Sequence, residues 1–304
     1  MSQTDLISQL AQLISENQNP DTLDIDLIDT AEVIAKINQQ DQKVANSVEL
    51  IIPELTLAVD TIVNAFNQGG RLIYIGAGTS GRIGVLDAVE CIPTFGIGEG
   101  MVIGLMAGGK TAMYKAKEGI EDQESQGAKD LSNIKLTQFD VVVGIAASGR
   151  TPYVIGALDY ATKFKAKTIA LSCNPEATIA NHAEIALLPI VGPEALTGST
   201  RMKSGTAQKM VLNILSTASM IRIGKSYQNL MVDVKATNEK LHARGTRMLM
   251  QVTGIDESEA NEKLEQAGGL VKLAILMTLS GKNAEKAQNT LDNANGFLRK
   301  ALDD

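Results

Sequence analysis

The chain of 304 residues contains no tryptophan, and aromatic residues make up only 3% of it. A surface that stacks nucleic-acid bases needs aromatic faces, and five Tyr and five Phe leave little material for that role. Positive charge is also short. Twenty-eight Lys and Arg stand against 35 Asp and Glu, a formal net charge of -7. A phosphate backbone needs a basic surface, which excludes nucleic acid as a general partner. A local cluster of cations remains able to hold a small anion. Two cysteines, Cys91 and Cys173, and two histidines, His182 and His242, complete the scarce residues. They form no Cys-x-x-Cys pair and no metal-ligand spacing, so no disulfide framework, metal or cofactor is expected. No apolar run is long enough to span a bilayer. The start, Met1-Ser2-Gln3-Thr4-Asp5, lacks the basic and apolar stretches of a secretory signal. A cytoplasmic protein without a membrane partner is expected.

Apolar residues supply 44% of the chain, enough for a sizeable core. Residues 1–61 read as an N-terminal helical segment. In residues 26–37 a helical stripe runs through Leu27, Ile28, Ala31, Ile34 and Ile37. Residues 44–66 continue it, with Pro53 as a kink or a helix start, and Gly69-Gly70 stops it. Residues 62–225 then alternate. Strand-like runs cover 71–75, 101–105, 141–145, 168–172 and 183–189. Helix-like runs cover 80–90, 111–116, 151–164 and 202–223. Continuous apolar strands separated by helices predict an α/β fold with a parallel sheet covered on both faces. Residues 226–304 read as purely helical and end in a small three-helix module over 258–266, 270–279 and 283–302.

Two strand-to-helix turns carry the chemistry. One is Gly76-Ala77-Gly78-Thr79-Ser80-Gly81-Arg82; the other is Ala146-Ala147-Ser148-Gly149-Arg150-Thr151-Pro152. Backbone N–H groups at a helix start favour an anion. Hydroxyls add donors, and Arg grips phosphate oxygens in a bidentate way. In parallel α/β sheets ligands bind at the carboxyl ends of strands, where both turns fall. A third loop, residues 192–205, again mixes hydroxyls and cations before a helix. The candidate binding residues are therefore Thr79, Ser80, Ser148, Gly149, Arg150, Thr151, Ser199, Thr200, Arg201 and Lys203, around a phosphorylated small molecule. Each cation also reads as a solvated surface charge.

Other motifs carry less. Gly76-x-Gly78-x-x-Gly81 matches the dinucleotide fingerprint, but no acid follows the second strand to hold a ribose, and no P-loop Gly-Lys-Ser/Thr occurs. Ser80 and Ser148 lack a recognisable His and acid for a triad. Glu90 has apolar neighbours, Ala88, Val89, Cys91 and Ile92, which would desolvate a carboxyl and favour its neutral form. The pattern alone favours a solvated glutamate near a helix end at Pro93. Glu121 lies in a charged, solvated stretch that does not single it out. His242 sits in the polar run 237–244, which could line a site.

At these residues the chain resembles the N-acetylmuramic acid 6-phosphate etherase family. The likeness covers nearly the whole chain. It includes residues 74–82, 87–91 and 144–153, the stretch Thr197-Gly198-Ser199-Thr200-Arg201-Met202-Lys203-Ser204-Gly205-Thr206-Ala207-Gln208-Lys209, and residues 229–234. It implies a flavodoxin-like sugar isomerase (SIS) domain, a C-terminal helical module and a homodimer. It also implies cleavage of the D-lactyl ether of N-acetylmuramic acid 6-phosphate to N-acetylglucosamine 6-phosphate and D-lactate, in cell-wall recycling. The family's two catalytic glutamates fall on Glu90 and Glu121. Two other readings fit the same turns: a sugar-phosphate regulator without catalysis, related to the glucokinase regulatory protein, and an aldose–ketose sugar-phosphate isomerase.

Overall fold

Stop signals in the N-terminal region divide it into two helices. The computed structural model describes residues 13–234 and 239–303, so residues 1–12 of the expected helical segment, and Thr237 and Asn238, lie outside the described residues. Helix α1 (Thr30–Glu49) begins later than the apolar stripe suggests. Asp29 accepts the Glu32 N–H at 2.9 Å and sets that start. Helix α2 (Ile52–Asn67) holds Pro53 in its first turn, where a missing N–H breaks no helical bond. Pro53 is therefore a start rather than a kink.

Two compact units follow from the chain's packing. One comprises Met1–Val89 and Gly100–Ser216, the other Glu90–Glu99 and Thr217–Asp304. The first is built on five parallel strands, β1 (Leu72–Gly76), β2 (Val102–Met106), β3 (Val141–Ile145), β4 (Lys167–Leu171) and β5 (Ile185–Leu187). Their order is β2-β1-β3-β4-β5. In register, Ile75 lies opposite Leu105 on one side and Gly144 on the other. Strands β1 and β3 are buried at every position, which is why they read as unbroken apolar runs. The order reverses between them, the point where such sheets open a crevice for ligands.

Helices α3 (Gly78–Phe95), α4 (Glu124–Asn133), α5 (Pro152–Lys163) and α6 (Lys203–Arg222) accompany the strands, with the ends of α3 and α6, from Glu90 and Thr217, belonging to the second unit. Helix α3 runs through Pro93 to Phe95, contrary to the expected stop; the proline removes one helical N–H, and the helix ends two residues later. Within the first unit α3 is tied to β1 by a buried bond. The Tyr74 hydroxyl donates to Asp87 at 2.9 Å, and the Ser216 hydroxyl donates to the same carboxyl at 3.2 Å. Burial pushes the Asp87 carboxyl above its ordinary value. Helices α4 and α5 meet backbone to backbone. A Cβ added at Gly127 would lie 2.0 Å from the Tyr153 carbonyl oxygen, and one at Gly156 would lie 2.1 Å from the Glu124 carbonyl oxygen. The expected helix over 111–116 is instead a short 3₁₀ turn, Lys110–Met113.

The second unit gathers α7 (Glu239–Thr253), α8 (Glu257–Gln266), α9 (Val271–Ser280), α10 (Ala284–Asn293) and α11 (Leu298–Asp303). Helix α9 is buried from Val271 to Met277, and apart from Lys272 that stretch is apolar. The stretch expected as one helix over 283–302 divides in two. Asn295 and Gly296 take φ values of 53° and 77°, which no helix continues through. Buried Lys272 is fully engaged: it donates to the carbonyls of Gly224 at 2.8 Å and Gly296 at 2.9 Å, and pairs with Asp233 at 2.7 Å. No helix among the described residues is long and apolar enough to cross a membrane.

Candidate active site

Sharp turns at the ends of β1 and β3 place their hydroxyls on either side of the switch point. Glycine is required in both. A Cβ at Gly81 would come within 2.6 Å of the Gly76 carbonyl oxygen and of Met106 Cβ. Gly149 has φ 73°, and a Cβ there would stand 2.4 Å from Ala177 Cβ. Between the turns opens a cavity of about 290 Å³. Thr79, Ser80 and Arg82 line it from the first turn; Ser148 and Thr151 line it from the second. Thr200, from the loop before α6, lies on its wall with Lys117, Glu121 and Glu16.

Hydrogen bonds fix several of these groups. Arg82 donates to the Ala112 carbonyl at 2.8 Å and the Met113 carbonyl at 3.2 Å, so it holds the turn after β2. Lys117 donates to the Gly108 carbonyl at 3.3 Å. The Ser80 hydroxyl donates to Gln208 Oε1 at 3.0 Å. Thr151 stands at the N-cap of α5, and its side chain makes no capping bond. The Tyr153 N–H, in the first turn of α5, donates to the Glu121 carbonyl at 2.9 Å. The exposed Glu121 is thereby attached through its backbone to the helix that begins at the second hydroxyl turn.

The other candidates stand elsewhere. Gly149 is buried within its turn, and Arg150 is half-buried with its N–H 3.4 Å from Ser148 Oγ. Neither belongs to the cavity lining, nor do Ser199 and the exposed Arg201. Lys203 is 1% exposed and donates to Gln40 Oε1 at 3.0 Å. Burial lowers its pKa, while Glu194 works to raise it. The first amides of α6 are already occupied. The fully buried Glu194 accepts from the N–H of Lys203 at 2.8 Å and of Ser204 at 2.9 Å. A carboxylate supplied by the chain thus fills the helix N-terminus that the pattern offered to an external anion.

Glu90 is exposed and is not among the residues that line the cavity. Its face of α3 carries Leu86 and Val89, which are 45% and 57% exposed, and Ile92 beside them is 37% exposed. Of the apolar neighbours expected to desolvate Glu90, Ala88 and Cys91 are buried, whereas Val89 and Ile92 are open in the single chain. His182 pairs with Asp159 at 2.6 Å, and His242 is half-buried on α7. Among the described residues no group of three or more His, Cys, Asp or Glu gathers as a metal would need.

Glu16 was not legible as a site residue. Its segment is fastened by contacts distant in sequence. Asn19 donates to the Pro193 carbonyl at 3.0 Å, Thr22 to the Ala195 carbonyl at 2.9 Å, and Asn174 to Ser15 Oγ at 3.4 Å. The small polar residues Ser15, Asn19 and Thr22, all buried in an otherwise loop-like stretch, make this anchoring.

The SIS domain family matches residues 120–218, and the glucokinase regulatory protein N-terminal SIS domain matches residues 54–162. N-acetylmuramic acid 6-phosphate etherase from Vibrio campbellii is 60% identical over 303 residues, covering 100% of this chain and 98% of that protein. The chain belongs to the N-acetylmuramic acid 6-phosphate etherase family. The relative of that name from Rhizobium rhizogenes is 59% identical, covering 99% of this chain and 98% of its own. The etherase likeness thus spans both units. Residues 228–268 match the C-terminal lid domain of glucokinase regulatory protein. Among solved structures, a phosphoheptose isomerase from Francisella tularensis aligns with a TM-score of 0.47 at 15% identity, over 64% of this chain and 100% of that one.

Proposed function

We propose that this chain cleaves the D-lactyl ether of N-acetylmuramic acid 6-phosphate, yielding N-acetylglucosamine 6-phosphate and D-lactate with one water consumed. The full-length identity with etherases carries this reading. The hydroxyl-lined cavity at the switch point supports it. Thr79, Ser80, Ser148, Thr151 and Thr200 hold the 6-phosphate and sugar, with Gly149 and Arg150 shaping the second turn. Ser199 and Arg201 flank Thr200 in the binding loop. Lys203 supports that loop from within the core. Residues 62–225 form the sugar-phosphate-binding domain of this reading.

An ether oxygen leaves poorly, and the open-chain sugar offers a path. Its C1 aldehyde acidifies the proton on C2. A carboxylate removes that proton, the C2 electrons form a C2–C3 double bond, and the C3–O bond breaks with its electron pair on the lactyl oxygen. A carboxylic acid protonates that oxygen as it departs. Water then adds at C3 of the unsaturated aldehyde, and a proton returns to C2. Each assisted proton transfer is worth roughly a hundred- to ten-thousand-fold. We assign Glu121 as the C2 base and Glu90 as the acid at the lactyl oxygen.

The acid assignment requires the exposed apolar face around Glu90 to be covered. We infer a homodimer that covers Leu86, Val89 and Ile92, and a cytoplasmic enzyme of cell-wall sugar recycling. Incubation with N-acetylmuramic acid 6-phosphate and assay of D-lactate tests the reaction. The same assay decides between this reaction and the regulator reading, which the two matches to glucokinase regulatory protein domains favour: a regulator releases no D-lactate. In deuterated water, Glu90→Ala is expected to lose lactate release while deuterium still enters C2. Loss of that exchange with Glu90→Ala, but not with Glu121→Ala, reverses the two roles.

A further inference from the structure

Ser80 lines the cavity yet is 7% exposed, and its single proton points away from the cavity, to Gln208 Oε1 at 3.0 Å. Gln208 is 1% exposed, and its Nε2 has no hydrogen-bond partner among the described residues. A buried N–H without a partner is uncommon and costly. These two facts bear on one problem. A phosphate dianion only accepts hydrogen bonds, so Ser80 serves it only by donating. In the arrangement seen, the donor is committed elsewhere.

We propose that Gln208 is the positioning residue of the phosphate cradle, with its amide reversed when a phosphate ester is bound. A 180° turn of the terminal torsion exchanges Oε1 and Nε2. Nε2–H then donates to Ser80 Oγ, and the Ser80 proton turns to a phosphate oxygen. The orphaned donor gains its acceptor, and the carbonyl left in its place is the less costly group to leave unpaired. A hydroxyl that accepts from an amide while donating to an anion is polarised in the direction that strengthens the outer bond. Gln208 touches no substrate atom in this arrangement and acts through Ser80 alone. The inference rests on the phosphosugar reading of the cavity.

The test is a double-mutant cycle on the full chain, with affinity for N-acetylglucosamine 6-phosphate and for inorganic phosphate read by calorimetry. Gln208→Met preserves volume and removes the donor. It is expected to weaken both ligands about three- to tenfold, and Ser80→Ala about tenfold. The double variant is expected to bind no more weakly than Ser80→Ala alone. Effects that multiply, or a Gln208→Met variant that binds as tightly as the wild type, overturn the relay. If Gln208→Met fails to fold, Gln208→Glu replaces it. A carboxylate only accepts, so it holds the Ser80 proton inward. Its penalty of tenfold or more should vanish in the Ser80→Ala background, whereas simple charge repulsion persists there and overturns the proposal. A wild-type chain that binds neither ligand defeats the phosphosugar reading itself, and this inference with it.

Discussion

The turns after β1 and β3 and the loop before α6 share one composition: small hydroxyl residues, glycine and a cation at a helix start. They contribute differently to the cavity lining. The two turns present Thr79, Ser80, Ser148 and Thr151 to the cavity, whereas the loop contributes Thr200. In that loop Glu194 occupies the first α6 amides, and Lys203 reaches inward to Gln40. A helix N-terminus favours anions from any source. It serves a ligand only where the chain has not already supplied a carboxylate of its own.

The comparison is sharpened most by Glu121, whose Glu121→Gln variant is expected to lower D-lactate release roughly a hundred- to ten-thousand-fold with an unchanged thermal midpoint. Next comes Glu194. Removing a buried carboxylate that caps α6 should cost about 3–5 kcal/mol, read as a lower urea midpoint for Glu194→Ala. Ser148→Ala should raise KM roughly tenfold or more through loss of a bond to a charged ligand, while Lys203→Met leaves KM within about threefold. Equal KM effects from these two would erase the distinction between turn and loop.

The smallest effect concerns the Arg71–Asp140 pair, 2.7 Å apart with Asp140 buried. Burial opposes ionisation there, but the bonds from Arg71 and the Thr137 N–H prevail and hold the carboxyl below its ordinary value. The pair's stabilisation is therefore complete above the unfolded carboxylate pKa, near about 3.9, and is lost as pH falls through the lower folded value. The urea midpoint of wild type relative to Asp140→Asn should shrink over that interval.

The sheet was legible because two-sided burial forces apolar runs, and β3 matches its expected span, 141–145. Helix α4 was not legible. Its sequence buries only Gly127 and Leu131, and a glycine that admits a neighbouring backbone leaves no apolar stripe to read. The hydroxyl turns were legible from glycine and Ser/Thr chemistry at strand ends. Glu16 and the burial of Lys203 depended on partners far along the chain, Pro193 and Ala195 for the first segment and Gln40 for the second. Local pattern carries no record of such pairings.

The bond from the Tyr153 amide to the Glu121 carbonyl has a mechanical outcome. The helix that begins at the proposed anion grip is also bonded, at its first turn, to the backbone of the proposed base. Any displacement of that helix shifts recognition and proton abstraction in concert. Variants along α5 that perturb its seat should therefore trace a single correlated line of kcat against KM, and independent tuning of the two has to come from the opposite wall, at Thr79 and Ser80.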